Sequence, residues 1–230
     1  EMMYNVFAEP KQAVTSKSDL YGFKGTFWPR DNKTFWEGHL RCYKLVSDPK
    51  ADNFGDFPDE SQDQWDAHET MKAVVAADRT IYTYAGSKTD LIDSSNAFTI
   101  AIDPTKLGLL ATETSLRDQV VNFIRGDNGF DYKLGDIFHF NPLVAGSPLE
   151  WKGLYDSSYQ TFYNTYQGRK EVVYAGANDG MIHCFEVAPG GKVEDGGKEL
   201  WGFIPPSHLP RIKKLATVPA LTLLAETPKY

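Results

Sequence analysis

Two octamers of one pattern constrain the fold more than any other feature of this 230-residue sequence. Gly38–Leu45 and Gly180–Val187 both read glycine, any residue, aliphatic, basic or His, Cys, aromatic, charged, aliphatic. Each octamer follows a turn and has the composition of a strand. Equivalent strands in two blades of a β-propeller would repeat in this way. Because the octamers are much further apart than one blade of roughly 40–45 residues, other blades or insertions lie between them.

The rest of the chain is also rich in strand patterns, and its aromatic content of 13% suits half-buried pleated strands. Further strands are predicted at Leu20–Trp28, Arg79–Tyr84, Ile137–Val144, Val172–Ala175 and Glu199–Ile204. Asn178, Asp179 and Gly180 tolerate positive φ, so they predict a tight hairpin between Val172–Ala175 and Met181–Val187. We therefore expect a mainly β fold, with residues 1–230 forming a single domain that is a partial β-propeller.

Two short helices are predicted as insertions, at about 66–77 and 116–125. Asp66 can cap the first helix, with Glu69 three residues on as in a capping box. Ser115 is the predicted cap of the second helix, and Gly126 is its natural stop.

An acidic, turn-rich loop is predicted at about 47–66. Metal binding is one interpretation of its carboxylates, and a solvated surface loop is the favoured one. The D-x-[DN]-x-[DN]-G spacing of a calcium loop is absent from it.

Arg125, Gly126 and Asp127 form an integrin-type tripeptide. A helix that ends at Arg125 with a left-handed glycine cap explains the same residues, and this second interpretation is favoured.

The net charge of −7 gives the chain no general attraction for nucleic acid or anionic lipid. No apolar run approaches the roughly 20 residues of a membrane helix, so no membrane insertion is expected. The histidines have no zinc-protease spacing, and neither a phosphate-binding glycine loop nor a nucleophile elbow occurs. We therefore assign no catalytic, cofactor-binding or metal-binding residues and do not expect an enzyme.

Cys42 and Cys184 occupy the same place in the two octamers. Equivalent positions in different blades lie too far apart for a disulfide, which needs Cα atoms within about 7 Å. Two separate buried thiols are predicted, with a disulfide as the less favoured alternative.

Several segments resemble, in order, the propeller domain of PilC/PilY proteins, which are type IV pilus tip adhesins. The matching segments are FWEGHLRCYKL (35–45), WDA (65–67), IYT (81–83), LGDIFHFNP (134–142), VVYAGANDGMIHCF (172–185) and GKELWGFIPP (197–206). The resemblance spans roughly residues 20–215, and quinoprotein propellers share part of the blade pattern. Cys42 and Cys184 depart from the family, which has a small residue there.

The resemblance implies a propeller exported through the periplasm to the cell surface or pilus tip, which assists pilus assembly and attaches to host or abiotic surfaces. Minor pilins would be its partners. The family's calcium loop has no match here, so calcium is expected only in the remainder of the propeller. Since Thr227–Tyr230 resembles the start of the family's next blade, we expect no closed ring from this chain alone. Its edge strands would pair with the remainder of the protein or a second polypeptide.

Two other functions stay open. One is a structural scaffold that holds other filament or surface subunits. The other is a quinoprotein-type dehydrogenase, which would need a quinone, a metal and a catalytic carboxylate at the ring centre.

Overall fold

The computed structural model describes residues 4–6, 14–16, 19–30, 36–46, 48, 50, 52, 55–57, 63–84, 90–138, 140–148 and 157–216. His139 and the segment 227–230 lie outside this described part, as does much of the predicted acidic loop. The described part is mainly β, as predicted, with two sheets and short helices. Within it, the two sheets do not join into a closed ring.

The first sheet is a meander of antiparallel strands. Its strands are β1 (Tyr4–Val6), β2 (Val14–Ser16), β3 (Asp19–Trp28), β4 (Glu37–Lys44) and β5 (Asp63–Asp66). β1 and β2 both pair with β3, which pairs with β4, which pairs with β5. The predicted acidic loop is therefore too long at its C-terminal end, because pairing of Trp65 with Cys42 draws the last four residues into the sheet.

The second sheet contains β6 (Ile81–Thr83), β7 (Leu143–Ala145), β8 (Val172–Gly176), β9 (Ile182–Glu186) and β10 (Glu199–Ile204). Its strand order is β6-β10-β9-β8-β7. β7 to β10 form a four-stranded antiparallel meander, which is the form of a propeller blade. β6 adds to the outside of β10 in the parallel sense.

The two octamers form corresponding strands, as the repeat predicted. β4 lies between β3 and β5, and β9 lies between β8 and β10. Each is the strand before the last of its meander, so the octamers mark equivalent places in two blades.

The helices are α1 (Ala67–Lys72), α2 (Thr114–Arg125), α3 (Ser157–Tyr166) and α4 (Leu209–Ile212). No helix in the described ranges combines the length and apolar character that a membrane crossing requires. Asp66 caps α1 as predicted, but the helix is shorter than 66–77. The consecutive β-branched residues Val74 and Val75 disfavour its continuation.

α2 confirms the second predicted helix, although it begins two residues earlier than expected. Ser115 lies inside it, so its predicted role as the cap is wrong, and Glu113 at the N-cap position makes no capping hydrogen bond. Gly126 ends the helix with φ of 106°, the left-handed conformation that glycine adopts without strain.

One predicted strand is shortened, and one helix was not predicted. The strand expected over Ile137–Val144 is reduced to β7, since Pro142 cannot donate a ladder hydrogen bond. α3 was not predicted, and none of its residues is buried, so its formation owes little to core packing.

One hydrophobic core lies between the two sheets. β4 contributes Leu40 and β9 contributes Phe185, and both side chains are fully buried. Leu134 and Ile137, from the segment that runs between the sheets, fill the same core. Burial of such side chains stabilises the fold by roughly 1.5–3 kcal/mol each.

Two close contacts fix the spacing of the sheets. Gly38 donates its backbone N–H to the Leu134 carbonyl at 2.9 Å, and a Cβ at Gly38 would lie 1.9 Å from the Gly135 oxygen. The Trp65 indole Nε1 donates to the Val187 carbonyl at 3.1 Å. The contact of β4 with the segment that runs between the sheets therefore depends on the absence of a side chain at Gly38.

Candidate functional site

The first sheet places four ionisable side chains together, which we call the first-sheet cluster: Glu37, His39, Asp66 and His68. Glu37 and His39 are two residues apart on β4 and so share one face of the strand. β5 pairs Asp66 with Arg41 of β4, and α1 begins at the next residue. This connection brings His68 back over the strand that carries the other two.

Hydrogen bonds in the first-sheet cluster centre on His39. Its Nδ1–H donates to Asp66 Oδ2 at 2.6 Å, and its Nε2 lies 3.2 Å from Glu37 Oε1. The His68 ring stacks on the His39 ring with 4.3 Å between centroids. His68 Nε2 lies 3.1 Å from the same Glu37 oxygen, but this approach lacks the direction of a hydrogen bond. Within the described part of the chain, neither His68 nitrogen has a hydrogen-bond partner.

Two arginines donate hydrogen bonds to the carboxylates of this cluster. Arg30 donates to Glu37 Oε2, and Arg41 Nε donates to Asp66 Oδ2 at 2.9 Å. Burial alone would raise the pKa of Asp66, but the hydrogen bonds from His39 and Arg41 outweigh it and lower this pKa below its ordinary value. Burial lowers the pKa of His68, and repulsion from His39 adds to the effect. His68 is therefore held as a neutral, buried imidazole.

The second sheet buries a different group, which we call the second-sheet cluster: Arg79, Asp179, His183 and Glu199. His183 Nε2 lies 3.0 Å from Asp179 Oδ2, and its Nδ1 lies 2.7 Å from Glu199 Oε1. Arg79 binds both oxygens of Glu199 at 2.8 Å through Nε and Nη2. Each charged group in this cluster thus has a partner of opposite sign.

The pKa values in the second-sheet cluster follow from this pairing. Burial alone would lower the pKa of His183, but the charges of Asp179 and Glu199 raise it to about 9. Burial would also raise the pKa of Glu199, but Arg79 and His183 hold it far below its usual range. The arrangement is an ionic network between an imidazolium, a guanidinium and two carboxylates.

The predicted hairpin residues support this network. Gly180 has φ of 88°, so the positive φ expected in the turn is confirmed. Asp179 accepts the Gly135 N–H at 2.9 Å, and Asn178 Nδ2 donates to Asp136 Oδ2 at 2.6 Å. The turn between β8 and β9 therefore anchors the segment that runs between the two sheets.

The three residues of the integrin-type tripeptide differ in burial and in their hydrogen bonds. Arg125 is buried, while Asp127 is exposed. The Arg125 guanidinium donates to three backbone carbonyl oxygens, those of Ala77, Arg79 and Phe98. Gly126 is the left-handed cap of α2. The arginine is thus bonded within the fold, so only Asp127 is open to solvent as a recognition element would require.

Cys42 and Cys184 are both buried and free, which confirms the prediction of two separate thiols. Burial raises the pKa of both thiols, in the case of Cys184 to about 12. Neither cysteine is a reactive thiolate near neutral pH.

No metal ligands were assigned from the sequence, yet Glu37, His39 and His68 offer ligand atoms that all lie within 4.8 Å of one another. Inspection of histidine spacing within short motifs missed this set, because His68 reaches it only through the pairing of β4 with β5. The Glu-x-His alternation on one strand face was the signal available in the sequence.

Type IV pilus biogenesis factors are similar to this chain. PilY1 of Pseudomonas aeruginosa strain UCBPP-PA14 is 28% identical over 222 residues, which cover 86% of this chain and 17% of that protein. The PilY1 homolog of Xylella fastidiosa strain Temecula1 is 31% identical over 141 residues, covering 53% of this chain and 11% of the homolog. PilY1 of Pseudomonas aeruginosa strain PAO1 is 31% identical over 121 residues, covering 45% of this chain and 9% of its own length.

No family model matches the chain, and no solved structure matches it. The chain spans no more than 17% of the length of these relatives. Their similarity confirms the resemblance drawn from the blade motifs: over most of its length this chain is PilY1-like in sequence.

Proposed function

We propose that this chain forms part of the propeller of a type IV pilus biogenesis factor, acting at the cell surface or pilus tip in pilus assembly and surface attachment. The observation that carries the proposal is the sequence match to PilY1 over 86% of the chain. The match extends through both blades, so it rests on more than one repeated strand motif.

The architecture is consistent with a role in binding and assembly. Two blades share one core, and the close contact at Gly38 holds β4 against the segment that runs between them. A rigid pair of blades suits a protein that presents surfaces to other subunits. The proposed partners are pilus components, including minor pilins, together with a host or abiotic surface, and catalysis is not part of the role.

Deletion of the gene in the bacterium that encodes the chain tests the proposal. We expect fewer surface pili by electron microscopy and weaker attachment to glass and to host cells. Normal numbers of pili together with normal attachment would contradict it. Normal pili with lost attachment would assign the chain to adhesion, and lost pili would assign it to assembly.

A pair of glycine variants links this test to the structure. Gly38→Ala would bring a Cβ against the Gly135 carbonyl, so complementation with this variant should fail. Gly168→Ala is the matched control, because a Cβ there has no atom within 4 Å, and it should restore pili and attachment fully. Equal rescue by both variants would show that the close contact at Gly38 has no part in the function.

A further inference from the structure

We propose that Glu37, His39 and His68 form a binding site for a divalent transition metal ion, with Zn²⁺ as the favoured ion. The site would connect β4 to α1 inside the first blade. It lies outside the role in pilus assembly proposed above and does not depend on it.

The distances between the candidate ligand atoms suit one small ion. Glu37 Oε1 lies 3.2 Å from His39 Nε2 and 3.1 Å from His68 Nε2. Zinc binds imidazole nitrogen and carboxylate oxygen at about 2.0–2.2 Å in tetrahedral geometry, which separates neighbouring ligand atoms by about 3.3 Å. The two separations from the carboxylate oxygen therefore match the edge of a zinc tetrahedron, and the ligand atoms of the three residues all lie within 4.8 Å of one another.

His68 supplies the strongest independent argument. Its side chain is only 1% exposed, and neither ring nitrogen has a hydrogen-bond partner in the described part of the chain. Buried polar atoms of this kind are rare, since each unsatisfied group costs about 1–3 kcal/mol. A metal ion between the rings and Glu37 would bind the free nitrogen of His68.

The groups around the candidate ligands orient them in the way that metal sites require. Asp66 accepts the Nδ1–H of His39, so its Nε2, which lies 3.2 Å from Glu37 Oε1, is the nitrogen that would lose its proton and bind an ion. A carboxylate behind a metal-binding histidine is a common arrangement and fixes the ring tautomer. Arg30 binds Glu37 Oε2 and leaves Oε1 facing the two imidazoles.

The chemistry of the ligands selects the ion. Two imidazoles and one carboxylate favour zinc and its first-row neighbours, whereas Ca²⁺ and Mg²⁺ prefer oxygen ligands. Three protein ligands leave a fourth position for water. Trp28, whose ring lies 4.3 Å from the His39 ring, covers the cluster next to solvent.

The second-sheet cluster also contains a buried histidine and carboxylates, but it is not a candidate metal site. Both nitrogens of His183 face carboxylates within 3.0 Å, and the pair Arg79–Glu199 completes the charge balance. Within the described residues, His183, the histidine of that cluster, therefore has no ring nitrogen without a hydrogen bond, whereas His68 has two. We therefore expect one metal site in the described part of the chain, and we expect it in the first blade.

Titration of the full chain, freed of metal with a chelator, tests the proposal by calorimetry with ZnCl₂. We expect one Zn²⁺ per chain, and Co²⁺ should give the visible absorption bands of a four-coordinate site. His68→Gln and Glu37→Gln should each weaken Zn²⁺ binding by about 100-fold or more. Asp66→Asn should weaken it by about 10–100-fold, as expected for a carboxylate behind a metal-binding histidine.

His208→Gln is the matched control, because His208 is exposed and outside both clusters, and it should bind Zn²⁺ like the wild type. Circular dichroism of each metal-free variant would separate lost binding from lost folding. If a variant fails to fold, the wild-type stoichiometry and the Co²⁺ spectrum decide alone. Binding of less than about 0.2 equivalents of Zn²⁺ by the wild type would overturn the proposal, as would unchanged binding by a folded His68→Gln variant.

Discussion

Each of the two blades buries histidine among carboxylates, but they differ in whether every imidazole is hydrogen-bonded. In the second-sheet cluster, His183 contacts a carboxylate through each ring nitrogen, and Arg79 neutralises one of them. In the first-sheet cluster, His39 is bonded in a similar way, but His68 is stacked on it without a hydrogen bond of its own. The second cluster is complete as an ionic network, whereas the first has an unused ligand.

The comparison also explains the fourth position of the repeated octamer, which is basic or His in both copies. Arg41 on β4 binds Asp66 of the following strand, β5. His183 on β9 binds Glu199 of the following strand, β10. A cation on one strand and an acid on the next is thus common to the two blades, and the first blade adds two imidazoles and Glu37 to it.

The largest loss of stability should come from removing one charged residue of the second-sheet cluster. Arg79→Met removes one of the two cations bound to Glu199, whose side chain is 4% exposed, and leaves two buried carboxylates beside His183. Because an uncompensated buried charge remains, the variant should lose about 3–5 kcal/mol of unfolding free energy in urea. Arg211→Met, at an exposed position, is the control and should change it by less than about 0.5 kcal/mol. A loss below about 1 kcal/mol for Arg79→Met would show that Arg79 does not neutralise a buried charge on Glu199.

The second prediction concerns pH and the same network. The pKa of His183 is raised from 6.5 to about 9, so its stabilisation is fully present below about pH 6.5 and is lost as the pH rises through about 9. The loss should amount to about 3 kcal/mol. On the acid side, the low pKa of Glu199 makes its contribution fall away as the pH drops below its ordinary value of 4.5.

Urea unfolding at intervals from pH 5 to pH 10 would measure this dependence. His183→Gln should unfold with a flatter profile above pH 6.5, because it lacks the titrating imidazole. The difference between the two profiles cancels the contributions of lysines and tyrosines that titrate nearby. Parallel profiles for the two proteins would exclude a charged His183.

The third prediction addresses the turn that carries Asp179 into the network. Gly180 has φ of 88°, and a Cβ there would meet Ile212 at an ordinary contact distance of 3.4 Å. Gly180→Val should therefore cost about 1–3 kcal/mol through backbone strain. Gly168→Val, which has open space and no positive φ, is the control with an expected change below about 0.5 kcal/mol. Equal stability of the two variants would contradict the strain argument.

The sequence predicted the parts of the fold that depend on local pattern. The octamers, the hairpin at Gly180 and the strand Glu199–Ile204 carry their own signals of alternation and turn chemistry, and all were found. β5 was hidden inside a run of acidic residues, since Asp63–Asp66 has only Trp65 as an apolar residue. α3 was missed as well, because it has no buried face.

The candidate metal site could not be predicted in the same way. Glu37 and His39 are close in sequence, but His68 joins them only after β5 pairs with β4 and α1 starts at the next residue. Short-range spacing of histidines carries no information about such a pairing. The absence of a hydrogen bond at His68 depends on packing from several elements, so only coordinates could reveal it.

The smallest loss of stability should come from His68 in the metal-free protein, where the two clusters differ most. His68→Leu removes a buried imidazole whose ring nitrogens make no hydrogen bond to the described residues, so the unfolding free energy should not fall and should rise by about 1–3 kcal/mol. His183→Leu, the matched substitution in the second-sheet cluster, should cost about 3–5 kcal/mol because it leaves Asp179 without a cation and Glu199 with Arg79 alone. Urea unfolding of both variants in the presence of a chelator measures the contrast. A loss above about 3 kcal/mol for His68→Leu would mean that His68 has a partner in the folded protein and that the two clusters are balanced alike.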